Sequence, residues 1–65
     1  MLPHQQRVID ERNELVVKLN ALDSFISSEI FASLSTEDQH LLTQQRTVMN
    51  EYRRILDLRI NRFNS

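Results

Sequence analysis

The chain has 65 residues and a mass of 7.7 kDa, so its length allows one small domain over residues 1–65. A chain of this size buries only about 60% of the surface its unfolded form exposes, and without cysteine it has neither disulfides nor a thiolate metal site to staple a thin core. Glycine is also absent, which excludes glycine-rich phosphate loops and glycine-built hairpin turns, while a net charge of −1 excludes a uniformly basic nucleic-acid surface, so no DNA partner is expected.

Residues 4–26 read as one helix. Val8, Leu15 and Leu22 recur every seven residues, with Arg12, Leu19 and Ile26 interleaved at four and three, which draws one stripe along a helix. Val16, Val17 and Phe25 widen that stripe. Pro3 stands at the N-terminal edge, where a missing N–H costs nothing.

Serines then break the pattern at positions 24, 27, 28, 33 and 35. Their hydroxyls compete for backbone hydrogen bonds and favour caps. Ser27 or Ser28 is expected to cap a short helix over about 28–34, with Phe31 and Leu34 plugging the hairpin end; an irregular loop is the alternative.

Residues 36–63 read as a second long helix. Ser35 and Asp38 offer a capping box, with Thr36 and Gln39 as a fallback one residue on. Glu37 and Asp38 suit the positive helix start, and Arg59 and Arg62 suit the negative end. Two apolar rows run along it at sevenfold spacing: Leu42, Met49, Leu56, Phe63 and, beside it, Leu41, Val48, Ile55. One partner helix covers only one such row. The expectation is therefore an all-α fold: an antiparallel helical hairpin with a short middle helix, assembling into a homo-oligomeric bundle that buries one row or the other between subunits.

Catalysis and metal binding look poor. The only histidines, His4 and His40, fall near opposite ends of an antiparallel hairpin, no zinc-type pair exists at helical spacing, and the serines lack a base. Asp10, Glu11 and Glu14 form an acidic patch that reads as a solvated face. No enzyme, no metal and no cofactor are expected. Met1 is followed by no basic segment with an apolar stretch, and the longest apolar runs are two or three residues, so no export signal and no membrane span are expected.

Charge is unevenly spread. Residues 1–45 carry three basic and seven acidic side chains, a balance of −4, whereas residues 46–65 carry five arginines and two acids, a balance of +3. Several cations touch the apolar stripes. Arg12 lies between Val8 and Leu15, Lys18 borders Leu15 and Leu22, and Arg59 follows Tyr52 by seven. A buried cation costs several kcal/mol, on the order of 3–5 when its partner is missing, unless it is paired or given an anion. Arg12 or Arg59 can pair with Glu14 or Asp57, or the long stems can reach solvent. Alternatively the cations grip phosphate, with His4 and Tyr52 supplying stacking faces or hydrogen bonds.

The string Pro3-His4-Gln5-Gln6-Arg7-Val8-Ile9-Asp10-Glu11, followed by Glu14-Leu15, Lys18-Leu19 and Phe25-Ile26, resembles the opening of a family of small phage-encoded helical hairpin proteins. Phe31, Leu34, Gln39, Leu42, Gln45, Met49, Tyr52, Ile55-Leu56 and Arg59-Ile60 resemble its second half. The hairpin is shared with the sponges that phages use against CBASS and Thoeris immunity, which bind cyclic nucleotide signals without cleaving them. The resemblance implies a phage anti-defence sponge for cyclic di- or trinucleotides, a homo-oligomer of six hairpins, in the cytoplasm of the infected bacterial host. It implies ligand-binding roles for four residues. His4 stands where the sponges carry an aromatic residue, Lys18 falls on the pocket lysine, and Arg59 falls on an arginine of a separate cyclic trinucleotide pocket. Arg7, one turn from His4, joins them. The alternative is a small oligomeric interaction protein that binds a host protein through an amphipathic face.

Overall fold

A computed structural model describes residues 1–64. The described residues are all-α, without strands: α1 spans Pro3–Ile26, α2 Glu29–Ser33 and α3 Thr36–Asn61, closed by a 3₁₀ turn over Arg62–Asn64. Each boundary has a local cause. At the start of α1, Pro3 takes the first helical position and the Gln5 side-chain oxygen accepts the Leu2 N–H at 3.1 Å. Ser28 is the residue that caps α2, its Oγ accepting the Phe31 N–H at 3.3 Å. Ser35 caps α3 by accepting the Asp38 N–H at 3.2 Å.

Gln39 does not serve as the fallback partner of Thr36. Its amide reaches back and donates to the carbonyls of Phe31, Ala32 and Leu34 at 3.1, 3.3 and 3.1 Å. A five-residue helix leaves most of its carbonyls without intrahelical partners, and a side chain from α3 supplies donors to them. Phe25 meets Phe31 edge-on, ring centres 6.4 Å apart, which closes the hairpin tip. At the other end the regular helix stops at Asn61, two residues before the expected Phe63, and the chain tightens into the 3₁₀ turn.

The long helices run antiparallel. Arg12 pairs with Asp57 and Asp23 with Arg46, so eleven residues up α1 correspond to eleven residues down α3. The described molecule is a rod, 46 × 14 × 14 Å. Its core is one seam: Val8 and Leu15 from α1 pack with Leu56, which is fully buried, and Met49, Ile60 and Phe63 close round them. Leu19 is buried further along. The row Leu42, Met49, Leu56, Phe63 is thus used inside the hairpin, and of the two rows only Leu41, Val48, Ile55 stays outside, at 57%, 67% and 42% exposure. No helix among the described residues is long and apolar enough to cross a membrane.

Candidate anion-binding edge

The hairpin has two long edges with different electrostatics. One edge is closed by ion pairs. Arg12 Nε donates to Asp57 Oδ1 at 2.8 Å, and Arg53 Nη1 donates to Asp57 Oδ2 at 2.7 Å, so one carboxylate holds an arginine from each helix. Arg46 and Asp23 pair nearer the tip. This satisfies Arg12 as an ion pair across the hairpin, with Asp57 and not Glu14 as the acid.

The second edge is built from two stripes. His4, Arg7, Glu11, Glu14 and Lys18 follow one another at three and four residues on α1. Leu41, Gln45, Val48, Tyr52, Ile55 and Arg59 do so on α3. The Tyr52 hydroxyl faces the Glu11 carboxylate, and that contact brings the two stripes to one edge. The hydrogen bond to Glu11 raises the Tyr52 pKa above 10.0, with partial burial and the Glu11 charge acting in the same direction and the nearby Arg59 charge opposing them.

All four candidate ligand residues are exposed and belong to this edge: His4, Arg7 and Lys18 on the α1 stripe, Arg59 on the α3 stripe. The antiparallel register sets Arg59 level with the stretch between Arg7 and Glu11. His4 lies one turn from Arg7, so His4, Arg7 and Arg59 share the open end of the hairpin. Lys18 is set apart, about 16 Å from Arg7 along α1 toward the tip. None of the four makes a hydrogen bond or ion pair with another described residue. The Arg59 charge acts on Tyr52. Beside them, Thr47, Val48, Glu51, Tyr52 and Ile55 line an open, largely apolar trough on α3. Glu51 is held by Arg54 at 2.6 Å, a hydrogen bond that lowers the Glu51 pKa below 4.5 and raises that of Arg54.

Chemically, this edge offers two separated cationic positions, an imidazole and a phenol beside an apolar surface, with the carboxylates of Glu11 and Glu14 between the two cationic positions. Such a set suits phosphate with a planar base. Among the described residues no three His, Asp or Glu side chains converge as a metal site would require. Tyr52 and Glu11 complete the edge. Sequence reasoning placed Tyr52 near a phosphate site without assigning it and left Glu11 in an acidic patch. The sevenfold spacings 4–11–18 and 45–52–59 are the signal that ties them to the edge.

The described residues thus form an all-α helical hairpin with one ion-paired edge and one edge of exposed, unpaired cations. Residues 2–62 match the model of the Sequestin family, and the chain belongs to that family. Its name denotes sequestration. The chain is also 40% identical, over 63 residues, to an uncharacterized 7.5 kDa protein of the denB–rIIB intergenic region of Enterobacteria phage T4, a match covering 97% of this chain and 98% of the relative. No solved structure matches the chain.

Proposed function

We propose that this chain is a phage sponge that binds cyclic oligonucleotide immune signals in the cytoplasm of an infected bacterium and holds them without cleaving them. The observation that carries this reading is the cationic edge: His4, Arg7, Lys18 and Arg59 are exposed and make no ion pair with the described residues, while Arg12, Arg46, Arg53 and Arg54 all do. The fold draws no stabilising pair from the first four. Glu11 and Glu14 stand on the same stripe, but neither makes an ion pair with these cations, whose guanidinium and ammonium groups can donate charge-assisted hydrogen bonds to phosphate oxygens. Membership of the Sequestin family and the phage origin of the relative support the same reading. In mechanism the protein does no bond chemistry. Arg7 and Arg59 neutralise phosphate at the open end, Lys18 does so nearer the tip, and His4 and Tyr52 offer ring faces to the bases. No cofactor takes part. A homo-oligomer, six copies by the resemblance to the sponges, belongs to this reading.

A second reading rests on the exposed apolar row. A small oligomeric interaction protein would use Leu41, Val48 and Ile55 as an amphipathic face for a host protein.

Calorimetric titration with a panel of cyclic dinucleotides and trinucleotides distinguishes them. The sponge reading expects tight binding of at least one cyclic species and its recovery intact on chromatography. A charge-assisted hydrogen bond contributes about 1.5–3 kcal/mol, so Lys18→Ala is expected to weaken cyclic dinucleotide binding roughly ten- to a hundredfold. Heatless titrations across the whole panel would overturn the reading and leave the host-protein alternative.

A further inference from the structure

We propose that Glu11 reads the base of the bound nucleotide and selects guanine, its carboxylate accepting the N1–H and the N2 amino group of a guanine whose phosphate rests on Arg7 and Arg59. This deepens the sponge reading and rests on it, since it names the base that the same edge prefers.

Glu11 stands among the cations of the edge. It follows Arg7 by four residues and precedes Lys18 by seven, about 6 Å and 10 Å along α1. The register sets Arg59 level with the stretch between Arg7 and Glu11. Glu11 is exposed, and it forms an ion pair with none of the three. Its contact is the Tyr52 hydroxyl, which reaches it from α3. A phenol that donates to a carboxylate fills one of about four acceptor positions and restrains the group that carries the rest. Glu14 shares the stripe but has no such partner among the described residues, so its carboxylate is not held in one place.

A carboxylate beside Arg7 and Arg59 is a disadvantage to a site that holds phosphate alone, because it repels the anion. It becomes an advantage when the ligand also carries N–H donors. Guanine presents two neighbouring donors, N1–H and the N2 amino group, which match the two oxygens of a carboxylate. Adenine presents the N6 amino group beside the N1 lone pair, and cytosine the N4 amino group beside the N3 lone pair. Uracil has one N–H between two carbonyls. In each of these a carboxylate oxygen meets a lone pair. The Tyr52 ring and Ile55, 39% and 42% exposed in the trough beside Glu11, supply a surface for the plane of the base. A two-bond contact to a base edge separates right base from wrong by about ten- to a hundredfold.

Calorimetric titration of the full chain with cyclic di- and trinucleotides built from guanosine, inosine or adenosine tests this. Inosine differs from guanosine only in lacking the N2 amino group. The wild type is expected to bind the guanosine form about ten- to a hundredfold more tightly than the adenosine form, with the inosine form between them. Glu11→Gln sets an oxygen beside an amide N–H, an arrangement that matches adenine. It is expected to lose the guanine preference and to bind the adenosine form at least as tightly as the wild type does. Tyr52→Phe keeps the ring and removes the hydroxyl, and is expected to narrow the guanosine-to-adenosine ratio severalfold. The ratio is the readout, because a loss of folded structure weakens all three ligands alike. Equal affinity for the three forms in the wild type, or an unchanged ratio in Glu11→Gln, would overturn the role of Glu11 and leave the sponge reading standing. Absence of binding by every form would overturn the sponge reading and this assignment with it.

Discussion

Asp57 shows how one residue separates structural from available charge. It receives Arg12 from across the hairpin and Arg53 from its own helix, each partner about one-third exposed. Solvent screens pairs of this exposure, so the network contributes about 1 kcal/mol at most. Asp57→Ala is expected to lower the melting temperature by about 4–8 °C, because it leaves two arginines against each other at a site that only a carboxylate made favourable. Lys18→Ala is expected to leave the melting temperature within error, since Lys18 has no partner among the described residues to lose. Thermal melts of the two variants side by side check the distinction. Equal losses would mean that Lys18 also supports the fold. Sequence spacing could place Arg12 on the stripe and name Asp57 and Glu14 as its possible acids. It could not choose between an acid two residues away and one forty-five residues away, because that choice depends on how α1 and α3 are rotated against each other.

At the scale of elements, the long helices and the short one are stabilised differently. α1 and α3 hold each other through a shared apolar seam. α2 has no buried residue and depends on its ends: Ser28 at the start, and at the finish the Gln39 amide with its three carbonyls. Gln39→Ala removes that C-terminal support while changing nothing in the seam. Loss of one cap costs about 1 kcal/mol, which corresponds to roughly fivefold faster opening. Amide hydrogen exchange over residues 29–35 is expected to accelerate by about that factor, while the centres of α1 and α3 keep their protection. Uniform acceleration along the chain would show that the tip and the seam open as one unit. The serine cap was legible from spacing alone, since a cap acts on the residue three ahead. The Gln39 support was not, since it crosses a turn and depends on where α3 starts relative to α2.

The whole molecule is a thin rod, and its pH response follows from the pairs on its surface. The Tyr52 pKa is raised above 10.0 in the folded chain by its hydrogen bond to Glu11. Stability from this contact is complete below pH 10. As the pH rises past that value the unfolded chain loses the tyrosine proton first, and the contribution fades until the folded form ionises as well. The Glu51 pKa is lowered by Arg54, so its contribution is present above pH 4.5 and is lost as the pH falls further. Melting temperature against pH is therefore expected to decline at both extremes, and Tyr52→Phe is expected to flatten the alkaline decline while leaving the acid one. An unchanged alkaline limb in Tyr52→Phe would show that the Glu11 contact adds no measurable stability.

The sequence by itself determined the helices. Their periodicity, the absence of glycine, the lone proline at position 3 and the serine caps are local properties, each acting within about one turn. It also determined that α3 carries one apolar row too many and that arginines gather near its end. Tertiary structure alone decided which row faces α1, which acid holds Arg12, and that Tyr52 meets Glu11. It alone set His4, Arg7, Lys18 and Arg59 along one edge and left them without partners among the described residues. The physical reason is rotational. Helical spacing tells which residues of one helix share a face, but the angle at which that face turns toward another helix is settled by packing summed along the entire seam.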